Sequence, residues 1–322
     1  MALKLIPQGT KFNFLGLRKI AIAFTALSTL ASIVLLVVVG LNFGIDFRGG
    51  TMIQAATPQE VTVSEYRDAL ADAGVGEVTI SRITDTGASD GPAHQVMLRI
   101  VEQGDDADVQ QAAISTVQDR LRAAFPDVEF LSVASVGGKV SGELIQAGVL
   151  AVALSVVGVV VYIWLRFEWQ FAIAAVISLV HDVFLTLGLF SLLQLEFSLS
   201  IIAALLTIVG YSLNDTVIVF DRVRENLRKY KKMDLGEIIN LSTNETLSRT
   251  LMTSGTTLIA LLSLYFLGGP VISGFTFAMI WGVLIGTYSS IYVAGVVVFW
   301  LGVDRSDKPN SKAGTQFANI DA

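Results

Sequence analysis

The stretch LSIIAALLTIVGYSLNDTVIVFDRVREN, residues 199–226, decides how this chain must be read. Leu199 to Phe220 is long and apolar enough to cross a bilayer, because about 20 residues rising 1.5 Å each cover roughly 30 Å of hydrocarbon. Yet it contains Asn214 and Asp215 before it meets the charged run Asp221-Arg222-Val223-Arg224-Glu225. Thr207, Tyr211 and Asn214 fall on one helical face, with Asp215 beside them. Asp215 lies about 9 Å inside the charged end of that helix. An ionisable group at that depth is costly unless a partner or a polar cavity receives it.

Working outward, further runs qualify as spans: Ile20–Leu41, Leu144–Leu165, Phe171–Leu195, Thr250–Leu267 and Phe275–Leu301, giving six in all. The fifth is short and is expected to begin a turn earlier, near Glu245. Composition agrees. Of 322 residues 53% are apolar and only 16% charged, where a soluble domain carries about 25%. The net charge of −6 does not suggest nucleic acid. Cys is absent and the two His stand far apart, so no metal-ligand spacing and no thiolate chemistry is expected, nor any cofactor.

Charge fixes the expected orientation. Lys4, Lys11, Arg18 and Lys19 precede a first run too long for a cleaved signal peptide. With residues 1–19 in the cytoplasm, Arg166, the cluster from Arg222 to Lys232, Arg249, Arg305, Lys308 and Lys312 all fall on the same side. The loops Gln194–Ser198 and Gly268–Ser273 hold no Lys or Arg. This is the positive-inside pattern, and it puts both termini in the cytoplasm. Residues 302–322 read as a cytoplasmic tail, disordered from Asp304 to Ala322.

Residues 42–143 differ in character and form an external, periplasmic domain. They are acid-rich, with Asp105, Asp106 and Asp108 close together. The pattern predicts strand Thr51–Ala56, helix Val63–Ala73, strands Glu77–Ile83 and Gln95–Val101, helix Ala107–Phe125 and strand Val128–Val136. A loop over Thr84–Ala93 joins the middle strands. The order β-α-β-β-α-β is the ferredoxin-like pattern, whose sheet has one face free to dock a partner. The fold class is thus an α-helical membrane protein with an α+β external domain.

Several clusters invite two readings each. Asp46-Phe47-Arg48-Gly49-Gly50-Thr51 marks the exit from the first span, either as a structural turn or as a working hinge or interface. His181 and Asp182 sit inside the third span, Asp182 roughly 16 Å deep, with Ser178 and Thr186 on the same face. Asp182 is either a satisfied interhelical hydrogen-bond acceptor or part of a proton relay. Asp215 and Arg249, expected at similar depth on neighbouring helices, are either a permanent ion pair or partners that exchange as a proton arrives, with Asn214 beside them. Ala278, Gly282, Gly286, Ser290 and Ala294 form a small-residue stripe that permits close packing against this chain or another.

DFRGGT at 46–51, VHD at 180–182, GYSLNDTVIVFDRVREN at 210–226 and ETLSRTLMTS at 245–254 together resemble the SecF family, accessory subunits of the bacterial Sec protein-export machinery. That family belongs to the RND superfamily of proton-driven transporters, so the resemblance implies half of an RND-type bundle. It implies an inner-membrane subunit, not an enzyme, that works with SecD and SecYEG on unfolded preproteins, with YajC and YidC as further candidate partners. It also implies use of the proton-motive force, and Asp215 and Arg249 match the family positions tied to proton passage. The alternative is half of an RND-type exporter of lipids or small molecules. The small external domain, with few aromatics, argues against it, and the intramembrane Asp215 argues against a passive scaffold.

Overall fold

The computed structural model describes residues 10–76, 78–83, 94–101 and 107–303. Glu77, Asp105, Asp106, the loop Thr84–Ala93 and the tail Asp304–Ala322 lie outside the described residues. Six helices in the described chain are long and apolar enough to cross a membrane. The first is α1 (Arg18–Val38), entered through a 3-10 turn at Leu15–Leu17. It ends at Val38 rather than Leu41, because Gly40 takes a left-handed conformation with φ 76°.

A short strand β1 (Asn42–Phe43) and one helical turn α2 (Ile45–Arg48) lead into the external domain. Gly49 at φ 71° and Gly50 at φ 115° turn the chain out of α2, conformations that a side chain resists. The domain runs β2 (Gly50–Thr57), α3 (Val63–Leu70), β3 (Val78–Ile83), β4 (His94–Ile100), α4 (Ala107–Ala124) and β5 (Glu129–Val136). The sheet order is β3-β4-β2-β5 with every neighbour antiparallel, which is the ferredoxin-like topology. Leu131 is an extra residue on β5 opposite Gln54/Ala55, a bulge. Period-two alternation sends Ile53, Ala55, Val96, Leu98 and Ile100 to one face, where Tyr66, Leu70, Val117 and Leu121 of α3 and α4 cover them. A capping box starts α3: Thr62 accepts from the Glu65 backbone N–H, and Glu65 accepts from that of Thr62.

The chain re-enters the membrane as α5 (Gly138–Arg166) and returns as α6 (Trp169–Leu193). A short strand β6 (Glu196–Phe197) precedes α7 (Leu199–Lys229) and α8 (Leu235–Leu267). The last span is α9 (Pro270–Tyr288), a π-helical segment Ser289–Ala294 and α10 (Gly295–Leu301). α5 begins before Leu144, α7 runs past Phe220, and α8 begins well before Glu245. Hydropathy marks only the part of a helix that lies in hydrocarbon, and backbone hydrogen bonding carries the helix on into water.

The buried centre of the bundle is α6, α7 and the last span, while α1, α5 and α8 bury little of their surface. Three glycine contacts set these approaches. A Cβ on Gly188 of α6 would collide with Ser32 of α1, so those backbones lie side by side. A Cβ on Gly282 would strike Ile208, and one on Gly286 would lie 3.1 Å from Ser212 Cβ. Ala278, Ser290 and Ala294 are fully buried. Gly282 and Gly286 of the small-residue stripe therefore pack against α7 of this same chain.

Candidate functional site in the membrane

Among the described residues, two carboxylates lie buried inside the bundle. Asp182, in the middle of α6, has a partner at each carboxylate oxygen. Its Oδ2 accepts from Ser212 of α7 at 2.6 Å and from Ser289 of the π-helical segment at 2.7 Å. His181 Nδ1 stands 3.0 Å from its Oδ1. The junction thus ties three spans together. Ser289 is the first residue of the π segment, an irregularity that often accompanies functional sites. The next ring out is Tyr288, whose hydroxyl donates to the Ala21 carbonyl of α1 at 3.0 Å.

Asp215 is treated differently. It is 2% exposed on α7, and its Oδ2 finds no hydrogen-bond partner within the chain. Arg249 of α8 is close enough for its charge to act on Asp215, but no ion pair within 4.0 Å joins them, and Arg249 is exposed on the outer face of α8. The contact pair read from the sequence is therefore not made in this arrangement. Asp215 looks into the bundle while Arg249 looks out of it. Asn214, one residue away, points outward and is exposed, as is Thr207. Tyr211, partly buried on the same face, donates to Thr257 of α8 at 3.4 Å.

Below this level α7 and α8 are bolted together. Arg222 donates to Glu245 at 2.7 Å and to Glu225 at 2.6 Å. Asn226, 1% exposed, donates to Glu245 at 2.7 Å and to Ser242 at 3.0 Å. The segment before α1 is clamped onto α8 by Asn244 and Asn240, which pair with the backbone of Phe12 and Leu15.

At the opposite end the Asp46–Gly50 motif joins domain and membrane. Asp46 accepts from the Leu199 backbone N–H at 2.8 Å, so it caps the N-terminus of α7. Asn42 and Phe43 pair in parallel with Glu196 and Phe197, and the rings of Phe43, Phe47 and Phe197 cluster. Arg99, on the sheet face away from the helices, bonds Glu196 at 2.9 Å. Part of the free sheet face is thus engaged by this chain's own α6–α7 connection. Arg48 ends α2, and no ion pair of it is found among the described residues.

Sequence reasoning did not assign Ser212, Ser289, Glu245, Asn226, Arg99 or Glu196. Ser212 was in view within the quoted stretch. Its meaning depends on α6 lying opposite, which no spacing along α7 reveals. Among the described residues no three His, Cys, Asp or Glu side chains converge in a way that could hold a metal ion.

Comparison with known proteins gives this architecture its place. The family described as "Protein export membrane protein SecD/SecF, C-terminal" matches residues 116–304, and the SecD/SecF GG motif matches residues 34–57. The fold and its glycine turn are thus those of the SecD/SecF class of export membrane proteins. A "Protein translocase subunit SecF" from Cereibacter sphaeroides is 52% identical over 321 residues, covering 99% of both chains. Its counterpart from Rhodobacter capsulatus is 48% identical over 323 residues, covering 98% of this chain and 97% of its own. The chain belongs to the SecF family. Its fold superposes on the crystal structure of SecDF, a translocon-associated membrane protein from Thermus thermophilus, with TM-score 0.80 at 35% identity, covering 94% of this chain and 39% of that one.

Proposed function

We propose that this chain is a proton-motive-force-coupled subunit that assists preprotein translocation across the bacterial inner membrane, together with SecD and the SecYEG translocon. Membership in the SecF family, whose curated relatives are named as translocase subunits rather than as enzymes or exporters, supports the translocation role. The observation that carries the proton coupling is the Asp215 carboxylate oxygen, buried in the fourth span without a partner. A permanent structural charge would have its lone pairs satisfied, as Asp182 does.

The chemistry follows from that contrast. A proton arriving on Asp215 removes a buried charge and releases the pull on Arg249. Deprotonation restores it and draws α8 toward α7. One elementary charge crossing 100 mV is worth about 2.3 kcal/mol, enough to shift such a two-state balance by more than tenfold. Asp46, which holds the N-terminus of α7, and the Arg99–Glu196 bridge carry movement of α7 to the external domain. The outward Thr207, Asn214 and Arg249 would be poorly placed against lipid, which supports a second membrane protein, SecD, on that face. The basic residues gathered opposite the external domain support an orientation with both termini in the cytoplasm.

Asp215→Asn keeps shape and size but cannot release a proton. It is expected to leave complex yield intact and to reduce gradient-driven secretion in inverted membranes at least tenfold. Arg249→Lys, which keeps the charge without the planar fork, is expected to lose part of the activity, and Arg249→Met nearly all. Normal gradient-driven secretion with Asp215→Asn would refute the relay.

A further inference from the structure

At the end of the bundle opposite the external domain lies an open cavity of about 460 Å³, lined by Arg166, Asp221, Arg224, Glu225, Arg228 and Lys229. Four cations face two carboxylates, and both carboxylates are already engaged. Asp221 bonds Arg166 at 3.0 Å, and Glu225 bonds Arg222, which is not part of the lining, at 2.6 Å. Arg224 donates to the Arg166 carbonyl at 3.2 Å and rests with Arg166 near the ring of Phe167, at 5.3 and 5.2 Å. Arg224 and Arg228 have no carboxylate within 4.0 Å among the described residues. Glu168, at the start of α6, is a further acid acting on Arg224.

The surroundings give the depth of this cavity. Arg166 ends α5, immediately after Trp164 and Leu165, which are 67% and 71% exposed, and Trp169 opens α6 at 53% exposed. Exposed tryptophans at helix ends mark the headgroup layer of a bilayer. Deeper, between α5 and α7, which also line the cavity, and α6, runs an apolar groove of about 110 Å³, lined by Val152, Val156, Val160, Leu179, Val183 and Leu206 among others. Val160 lies about 9 Å along α5 from Arg166.

We propose that these two features form one binding site for an anionic phospholipid, its phosphate held by Arg224, Arg228 and Lys229 and an acyl chain laid in the groove. Guanidinium forks match phosphate oxygens bidentately, and a basic pocket between spans at this face suits an acidic headgroup. A free phosphate would use the cations but not the groove. A neutral lipid would use the groove but not the cations. The occupied site would brace the end of α7, the helix that carries Asp215, against α5. The site rests on reading these helices as membrane spans and not on proton coupling, so Asp215→Asn leaves it unchanged.

The test is native mass spectrometry and thermal unfolding of the purified full chain with added phosphatidylglycerol, phosphatidylethanolamine or inorganic phosphate. Phosphatidylglycerol is expected to bind at least tenfold more tightly than phosphatidylethanolamine. The double variant Arg224→Gln, Arg228→Gln should abolish that preference. The variant Arg224→Lys, Arg228→Lys should retain most of it, and so should Lys139→Gln at the other end of α5. No preference in the unsubstituted chain, or a preference that survives the double Gln variant, overturns the proposal. So does inorganic phosphate that raises the unfolding temperature as much as phosphatidylglycerol does.

Discussion

Asp182 and Asp215 sit in one bundle, on neighbouring helices, both nearly inaccessible, yet their surroundings are opposite. Asp182 takes two serine hydroxyls and faces an imidazole, each from within the same chain. Asp215 keeps an oxygen without a partner and has its cation at a distance, on the outside of the next helix. The first environment fixes three spans in one arrangement. The second leaves a charge whose energy depends on what the bundle does next. Burial alone therefore says little about which acid in a membrane protein works. On the relay proposed for Asp215, the count of satisfied lone pairs is what would separate a fastener from a switch.

The sharpest way to break this contrast is to make the same substitution at both sites. Asp182→Asn leaves three converging groups without the charge they surround, which costs about 2–3 kcal/mol. The expected result is a lower yield of folded chain and a lower melting temperature in detergent. The complexes that do assemble should keep their gradient-driven activity. Asp215→Asn should show the reverse pattern. If Asp182→Asn preserves the yield and stops gradient-driven secretion, Asp182 belongs to the relay and the contrast falls.

A smaller effect is expected from Gly286→Ala. The added Cβ stands 3.1 Å from Ser212 Cβ and pushes that serine away from Asp182. Overpacking of this kind costs about 1 kcal/mol or somewhat more. Ser212→Ala should lower stability in the same direction, and the double variant should be less harmful than the sum, since both act on one hydrogen bond. Full additivity in a set of melting curves would show that Gly286 acts elsewhere.

The smallest effect concerns Glu65, a carboxylate in water that serves as a control for the buried pair. Thr62 holds the Glu65 carboxyl below its ordinary value of 4.5, through its backbone N–H first and its hydroxyl second. A depressed value in the folded state means that the cap's contribution is complete above pH 4.5 and fades as pH falls through the lower folded value. Hydrogen exchange of the α3 amides should quicken slightly over that acid range, and Glu65→Gln, which takes away the titrating group, should remove the dependence. Identical pH profiles in the two chains would show that the capping box does not stabilise α3.

Much of the fold was readable before any coordinates. The spans, the βαββαβ order and the small-residue stripe each follow from periodicities of one segment. The helix ends did not follow so well. α5, α7 and α8 all extend past their apolar stretches, because Lys139, Arg224 and Glu237 are as compatible with a helix in water as with any other surface structure. The intramembrane acids were also legible, since a charge in an apolar run is conspicuous.

What the sequence by itself determined is which groups are placed at a cost: Asp182, Asp215 and the paired glycines at 49 and 50. What only the tertiary structure decided is how each is answered. Ser212 and Ser289 reach Asp182 from residues 30 and 107 positions away. Arg249 turns away from Asp215 although the two helices are neighbours. Asp46 caps a helix that begins 153 residues later. Local pattern fixes the energy of a group against its solvent, which one segment can state. A hydrogen bond depends on the direction and distance between two segments, and that is settled only when the helices have packed.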